Sequence, residues 1–434
     1  PAREVRAGLT TFATMAYIVA VNPLILADAG MPREAVVAAT CLAAAFGSIL
    51  MGLLTNYPFA LAPGMGLNAF FSYTVVLGMG LSWQGALAAV CVSGLVFLVL
   101  TLAGIREVLL NAIPTSLKCA ISVGIGLFIA LIGLKNAGIV VYNPATGALG
   151  LVHAGYFADP ELVSLLPFGT SKESIGLAIF GLVFSCVLVV RQVAGALLVG
   201  VVVCTLLALP LGLVHLGGQS YFGLPSGLAQ TALALDFADV FSFGLVAVII
   251  TFTFVDLFDT AGTLVGVSSR AGLLDAEGRL PRARRALLAD SLATIFGAAV
   301  GTSTTTTYVE SAAGVAAGGR SGLTAVVVGG CFLLALFFAP LLALVPAAAS
   351  APALIVVGIF MMEPVRRIDF ANYLEAIPAF FTIVMMPWAF SIAEGIAAGI
   401  MAHVALHLLG GRMREVPFVL WGLGALFLLR YFLT

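Results

Sequence analysis

Four polar side chains lie inside segments that are otherwise apolar enough to cross a membrane, and together they could bind a small polar solute. Asp256 and Asp259 are three positions apart, so on a helix they share one face. Glu310 and Asn68 come from two other segments. Each carboxylate costs at least ~2.5 kcal/mol at the centre of a bilayer, so this cluster predicts a functional site.

The stretch that contains Glu310, TSTTTTYVESAAG at residues 302–314, differs from an ordinary membrane helix. Consecutive threonines lose side-chain freedom in a helix and fit an extended strand. Small residues follow Glu310, so we predict a short strand that leads into a helix starting partway across the bilayer, with Glu310 in its first turn. Thr304 and Thr305 would then lie beside the substrate, because irregular backbone at membrane depth must be buried in protein or line a polar cavity.

Asn68 belongs to a second interrupted segment. Pro58 and Pro63 exclude a continuous helix there, because proline removes a backbone donor and pushes the preceding residue into extended geometry. A helix is predicted to begin near Met65 and to carry Asn68. Two half-helices that enter from opposite sides would direct their positive amino-terminal ends at one ligand near the midplane. A proline kink is also predicted at residues 22–23 of the first span.

The composition indicates a polytopic membrane protein. Of the 434 residues, 62% are hydrophobic and only 9% are charged, which excludes a soluble domain of any size. With roughly 20 apolar residues per span, the chain accommodates about 14 spans and predicts an all-α membrane fold. His403 and His407 have the i, i+4 spacing of a zinc-binding helix, but no third ligand accompanies them, so we predict neither a metal nor another cofactor.

The charged residues orient the chain. Alternating spans with a cytoplasmic amino terminus leave Arg33, Lys135 and Lys172 outside and place nearly all other lysines and arginines inside, as the positive-inside rule demands. We therefore predict a multi-pass protein of the plasma (inner) membrane whose amino terminus is cytoplasmic. Asp290 lies near the cytoplasmic arginines and is predicted to pair with one of them.

The chain also shows traces of an inverted repeat. The triplet VGI at residues 123–125, in the fifth span, recurs at residues 357–359, in the twelfth. The two interrupted segments are the third and the tenth spans, so they hold the same rank in the two halves. Two halves of opposite orientation with broken helices are typical of secondary transporters.

Three phrases, PGMGLNAFF at 63–71, FVDLFDTAGTL at 254–264 and TSTTTTYVESAAG at 302–314, resemble the azaguanine-type purine permeases. That group is a branch of the nucleobase–ascorbate transporters, which include the xanthine and uracil permeases. The resemblance implies a uracil-permease-like fold with a seven-plus-seven inverted repeat. The implied segments are a core domain at 8–104 and 241–345, a gate domain at 113–216 and 353–409, and an extra apolar segment at 417–433.

The resemblance also implies roles for single residues. Asn68, Asp256 and Glu310 stand where the family binds the base. Asp259 stands where the family supports transport, and Glu310 would share in coupling. Uracil-type relatives carry a glutamate and a histidine on the eighth span, so the two aspartates here favour the purine branch.

The chemistry of these side chains agrees with a purine substrate. A purine is planar and uncharged, and its ring N–H groups can donate hydrogen bonds to carboxylates. A carboxylate buried in such a site takes up a proton more readily than one in water, which allows coupling to a proton gradient. We therefore predict a proton symporter, not an enzyme, that imports hypoxanthine, guanine or adenine by alternating access. Its predicted partners are a purine nucleobase, a proton and the lipid bilayer, without nucleic acid, and a homodimer stays open.

Other functions stay open from the sequence. A transporter of the same fold could carry uracil, xanthine or an anion, although an anion would require a cation in the site. Sodium could replace the proton, because carboxylates, hydroxyls and free carbonyls bind it too. Paired aspartates also occur in intramembrane aspartyl proteases, but there the two acids come from separate helices, whereas Asp256 and Asp259 share one. A channel would need more polar spans.

Overall fold

Helices make up most of the fold. The computed structural model describes residues 1–104, 113–143, 148–157, 162, 166, 170–214, 222, 223, 225, 227–238, 243–273, 275 and 280–433. The helices of the first half are α1 (Ala2–Met15), α2 (Ile18–Asp28), α3 (Arg33–Thr55), α4 (Met65–Ala69), α5 (Trp83–Leu102), α6 (Thr115–Asn136), α7 (Lys172–Val190) and α8 (Ala196–Ala208). Those of the second half are α9 (Phe243–Ala271), α10 (Ala283–Val300), α11 (Ser311–Ala316), α12 (Gly322–Ala335), α13 (Ala339–Leu342), α14 (Ala347–Phe360), α15 (Tyr373–Trp388), α16 (Ile392–Leu409) and α17 (Phe418–Leu433).

Many of these helices could cross a bilayer. Within the residues that the structure describes, eight helical segments are long and apolar enough to do so, and several shorter apolar helices accompany them. The strands are β1 (Leu61–Pro63), β2 (Val140–Asn143), β3 (Ala148–Leu151) and β4 (Thr305–Thr307). The predicted all-α polytopic membrane fold, with extended segments in two interrupted spans, is confirmed.

The extended segments of the two interrupted spans pair with each other. Strand β1 runs antiparallel to β4, with Leu61 opposite Thr307 and Pro63 opposite Thr305. The pairing extends past both ends, because the Gly64 amide donates to the Thr304 carbonyl at 2.9 Å and the Tyr308 amide donates to the Ala60 carbonyl at 3.0 Å. The strand pair thus satisfies backbone groups that lipid could not satisfy.

Each strand leads directly into a half-helix. Helix α4 begins at Met65, as predicted, and continues as a π-helix over Phe70–Gly78. Helix α11 begins at Ser311, and Glu310 stands at the position just before it without a side-chain hydrogen bond to the helix. The strands are antiparallel, so the two half-helices leave the sheet at opposite ends. This is the arrangement expected of an inverted repeat.

The first span consists of two helical parts. Ala16 and Tyr17 lie between α1 and α2 with helical backbone angles, and α2 runs through Pro23, where we predicted a kink. Pro23 cannot donate a backbone bond to the Val19 carbonyl, which favours a kink there. The kink itself stays a prediction.

The helices pack in two groups. In one, α3 contacts α2, α10 and α12, while α5 contacts α9 and α10. In the other, α6 contacts α14 and α15, α7 contacts α8 and α14, and α15 contacts α16. That these groups move against each other as core and gate stays a prediction. Residues 215, 216, 241 and 242, at the edges of the predicted halves 113–216 and 241–345, lie outside the described residues.

Two boundaries near the carboxyl terminus add detail to the predicted segments. Helix α14 begins at Ala347, after the extended Pro346, so it starts before the predicted gate segment at 353–409. The apolar stretch at 417–433 forms helix α17, which packs against α16. Its Gly424 lies against Val404 of α16.

Candidate functional site

Glu310 is held by a tyrosine from the first span. The Tyr17 hydroxyl donates to Glu310 Oε1 at 2.6 Å. Tyr17 is 1% exposed, whereas Glu310 is half-buried, so the tyrosine side chain is the more deeply buried of the two. The bond joins α11 to the turn between α1 and α2.

Asp259 approaches the same place from α9. It is half-buried, and its charge interacts with that of Glu310. Asp259 also faces the end of β1, since a Cβ on Gly64 would lie 3.6 Å from Asp259 Oδ2. Tyr308 completes the group, because its hydroxyl donates to the Pro63 carbonyl at 2.5 Å and interacts electrostatically with both carboxylates. The two carboxylates therefore lie near each other beside the strand pair.

Asp256 lies in a deeper polar network centred on Thr260. The Thr260 hydroxyl lies 3.4 Å from Asp256 Oδ1, 3.0 Å from Asp290 Oδ2 and 2.8 Å from the Thr306 hydroxyl. Asp256 is 1% exposed and Asp290 is fully buried. The network ties α9 to α10 and β4. Asp290, which we predicted to pair with a cytoplasmic arginine, accepts a hydrogen bond here and so joins the polar network.

Asn68 lies near the other end of β4. Its Oδ1 accepts a hydrogen bond from the Ser303 hydroxyl, which precedes that strand. Thr302, the residue before Ser303, accepts a hydrogen bond from Asn22 of α2 at 2.9 Å, and Asn22 also donates to Thr40 at 2.7 Å. Asn68 thus helps to hold the start of β4, while Glu310 follows the end of β4.

The two predicted threonines have different surroundings. Thr305 has its Oγ1 only 2.7 Å from the position that a Cβ on Gly297 would occupy, so its side chain faces α10. Side chains alternate along a strand, so Thr306 faces the opposite way, toward Thr260 of α9. The structure therefore brings Thr305 to α10 and not to the two half-buried carboxylates. Thr304 is fully buried, and its carbonyl accepts from Gly64.

The arrangement is rich in hydrogen-bond acceptors and suits an uncharged molecule that presents donors. Within the described part of the chain, no lysine or arginine contributes to the electrostatic surroundings of Asp259 or Glu310. Two neighbouring carboxylates repel each other when both are charged, so a proton on either one is stabilising. The site can therefore bind ring N–H groups and a proton, whereas a bare anion would meet like charge.

Sequence reasoning missed two tyrosines of this site. Tyr308 carried a weak signal, because it stands two positions before Glu310 in the turn from strand to helix. Tyr17 carried none that a local pattern could reveal, since its partner is 293 positions away. The polar partner Ser303 could have been found from the threonine-rich stretch that contains it.

Comparison with known proteins agrees with the fold and the motifs. The family model for xanthine and uracil permeases, described as "Permease family", matches residues 2–398. The guanine/hypoxanthine permease PbuG of Bacillus subtilis is 46% identical over 440 residues, which cover 99% of this chain and 96% of the relative. The adenine permease AdeP of Escherichia coli is 45% identical over 413 residues, which cover 95% of this chain and 88% of the relative.

A solved structure with a related fold is the transmembrane domain of a cyanobacterial bicarbonate transporter, BicA. It superposes with a TM-score of 0.67 over 92% of this chain and 96% of that domain, at 15% sequence identity. At that identity the likeness concerns the fold alone. The resemblance inferred from the three motifs is confirmed by the family match and the close relatives. The chain is therefore a multi-pass membrane permease, not an enzyme, and it belongs to the xanthine/uracil permease family.

Proposed function

We propose that this permease imports purine nucleobases, such as hypoxanthine, guanine or adenine, together with protons. The observation that carries the proposal is the pair of half-buried carboxylates, Asp259 and Glu310, beside the strand pair. The names of the adenine and guanine/hypoxanthine relatives support the substrate class. The predicted substrate does not depend on the likeness to BicA, which concerns the fold.

The chemistry of the pocket supports an uncharged base. Carboxylate oxygens only accept hydrogen bonds when ionised, so Glu310 and Asp259 favour the N–H edges of a purine. Uracil and xanthine also present N–H groups and are therefore the nearest rivals. An anion such as bicarbonate would need a compensating cation at Asp259 and Glu310, and none is described there.

Proton coupling follows from the same two acids. When both carboxylates are charged they repel each other, and one bound proton removes that repulsion. A neutral substrate does not contribute to this effect. One proton that crosses ~100 mV supplies about 2.3 kcal/mol, which is enough for roughly 50-fold accumulation of an uncharged base. Sodium is the rival ion, because the same oxygens could bind it.

We assign roles to the site residues on this basis. Glu310 would bind the base and take part in coupling, and Asp259 would carry the proton. Asp256 would orient Thr260 and, through it, the strand β4. Asn68 would bind the base or hold the start of β4 through Ser303. Thr304 stays a substrate-binding candidate, and Thr305 becomes a weaker one.

The wider context is part of the proposal. Alternating access would arise from movement of the group of helices that carries α3 against the group that carries α14. The protein would lie in the plasma (inner) membrane with a cytoplasmic amino terminus, as the distribution of lysine and arginine indicates. A homodimer is compatible with this arrangement, and no cofactor is required.

Uptake of radiolabelled hypoxanthine into proteoliposomes tests the proposal. The liposomes receive an imposed proton gradient, no gradient, or a sodium gradient at equal pH. We expect accumulation above the outside concentration only with the proton gradient. Equilibration that ignores the proton gradient would remove the coupling, and accumulation driven by sodium alone would replace the ion. The substrate is defined by competition with unlabelled guanine, adenine, uracil, xanthine and bicarbonate. Absence of uptake of any purine would refute the proposal.

A further inference from the structure

Tyr17 occupies an unusual place in the first span. It stands between α1 and α2, and its side chain is 1% exposed. Its hydroxyl donates to Glu310 Oε1, at 2.6 Å, across to the second half of the chain.

The hydrogen bond from Tyr17 restricts the orientation of the Glu310 carboxylate. A tyrosine hydroxyl has one hydrogen, and its donation to Oε1 orients the plane of the carboxylate. The carboxylate also accepts from the Glu310 backbone amide. The charged and polar side chains that face Glu310 are Tyr17, Tyr308 and Asp259, and among the described residues they include no cation. A carboxylate has about four acceptor sites, so the oriented Glu310 can still accept a hydrogen bond from a ligand.

The backbone around Tyr17 is hydrogen-bonded. The Val19 amide donates to the Ala16 carbonyl and the Ala20 amide donates to the Tyr17 carbonyl. Tyr17 therefore reaches Glu310 from a hydrogen-bonded turn between two helices. Fixed placement of a binding group lowers the entropy that the substrate must lose on binding.

We propose that Tyr17 is a positioning residue that orients Glu310 toward the substrate and makes the site selective for a base that presents an N–H edge. This inference rests on the proposed function, because it takes Glu310 as the group that receives the substrate. Tyr17 itself does not need to touch the base. Its effect is exerted through the orientation of the Glu310 carboxylate.

The test is Tyr17→Phe, which keeps the aromatic ring and removes only the hydroxyl. The matched control is Tyr156→Phe, because Tyr156 is also 1% exposed and its hydroxyl donates to the Tyr142 carbonyl at 3.2 Å, away from Glu310. Hypoxanthine KM and maximal rate are measured in proteoliposomes, and the thermal midpoint of each purified variant is measured in detergent.

We expect Tyr17→Phe to raise the KM about tenfold, because a Glu310 carboxylate that is no longer oriented loses about one hydrogen bond to the base, with a maximal rate within about twofold of wild type. The control variant should match wild type in KM and maximal rate. A purely structural role for Tyr17 predicts a lower thermal midpoint with an unchanged KM, and that result would overturn the assignment.

A double variant adds an independent check by equilibrium binding of labelled hypoxanthine. On a Glu310→Gln background, Tyr17→Phe should weaken binding by only about threefold, because a hydrogen bond to a neutral amide is worth about half as much as one to a carboxylate. A full tenfold further loss would mean that Tyr17 acts independently of Glu310 and would overturn the inference. Failure of the wild-type protein to bind any purine refutes the proposed function and the inference together, whereas normal wild-type transport with an unchanged KM in Tyr17→Phe refutes only the role of Tyr17.

Discussion

Replacement of Gly64 by alanine tests how tightly the strand pair is packed beside the site. Gly64 follows β1 in extended backbone, with φ −73° and ψ 124°, a conformation that alanine adopts without strain. A Cβ there would lie 2.8 Å from Thr306 Cγ2 and 3.6 Å from Asp259 Oδ2. Carbon atoms pack at ~3.5–4.0 Å, so Thr306 would have to move by roughly 1 Å.

Any movement of Thr306 would break or stretch a hydrogen bond. Rotation of its methyl group away from residue 64 would break the 2.8 Å hydrogen bond between its hydroxyl and Thr260. Displacement of the whole strand would stretch the 2.9 Å bond from the Gly64 amide to the Thr304 carbonyl. Overpacking of this kind costs about 1–3 kcal/mol of folding free energy. A displaced Thr306 would also disturb Thr260 and Asp259 at the candidate site, and a loss of about 1.4 kcal/mol in substrate binding corresponds to a factor of about ten in affinity. We therefore expect a KM for hypoxanthine raised about tenfold and a lower thermal midpoint.

The assay is uptake into proteoliposomes combined with thermal unfolding in detergent. The control is Gly176→Ala in α7, where an added Cβ meets no atom within 4 Å and alanine favours the helix. That control should unfold at the wild-type temperature or above it and transport normally. If Gly64→Ala matches the control in both measurements, the strand pair is looser than the structure indicates and the argument fails.

Three further substitutions give sharp expectations. Glu310→Gln removes an ionisable acceptor and should abolish gradient-driven accumulation of hypoxanthine while the purified protein stays monodisperse; wild-type accumulation would contradict its role. Asp256→Asn should likewise reduce accumulation, at least tenfold, through the Thr260 network, and an unchanged rate would assign Asp256 to stability alone. Gly358→Ala would place a Cβ 2.5 Å from the Gly126 carbonyl oxygen, between α14 and α6. It should lower the free energy of unfolding by about 1–3 kcal/mol, and with it the thermal midpoint, without a change in KM. An unchanged midpoint would contradict that close contact.

Local sequence signals predicted the interrupted spans well. Prolines at positions 58 and 63 and the run of threonines act on their own backbone, so the strand–helix junction at Met65 and the strand before Glu310 could be derived without knowledge of the fold. The pairing of these strands with each other was not predicted. It depends on register across the two halves, which no local pattern contains.

The sequence singled out the acidic residues of the candidate site but not their hydrogen-bond partners. Buried carboxylates are conspicuous in an apolar chain, so Asp256, Asp259 and Glu310 could be selected on cost alone. Their hydrogen-bond partners come from distant segments, such as Tyr17, 293 positions from Glu310. The role of Tyr17 between α1 and α2 was missed for the same reason, because it depends on this distant bond.

The strand pair β1–β4 also bears on how the chain is synthesised. Its strands are separated by roughly 240 positions, so at about 5–20 residues per second the ribosome completes β4 about 12–50 s after β1. During that interval the Gly64 amide, which follows β1, lacks the Thr304 carbonyl to which it donates, and lipid cannot replace that carbonyl. The amide must be covered by water or by another protein of the insertion machinery. A nascent or truncated chain that ends before β4 is therefore the form most exposed to aggregation and proteolysis.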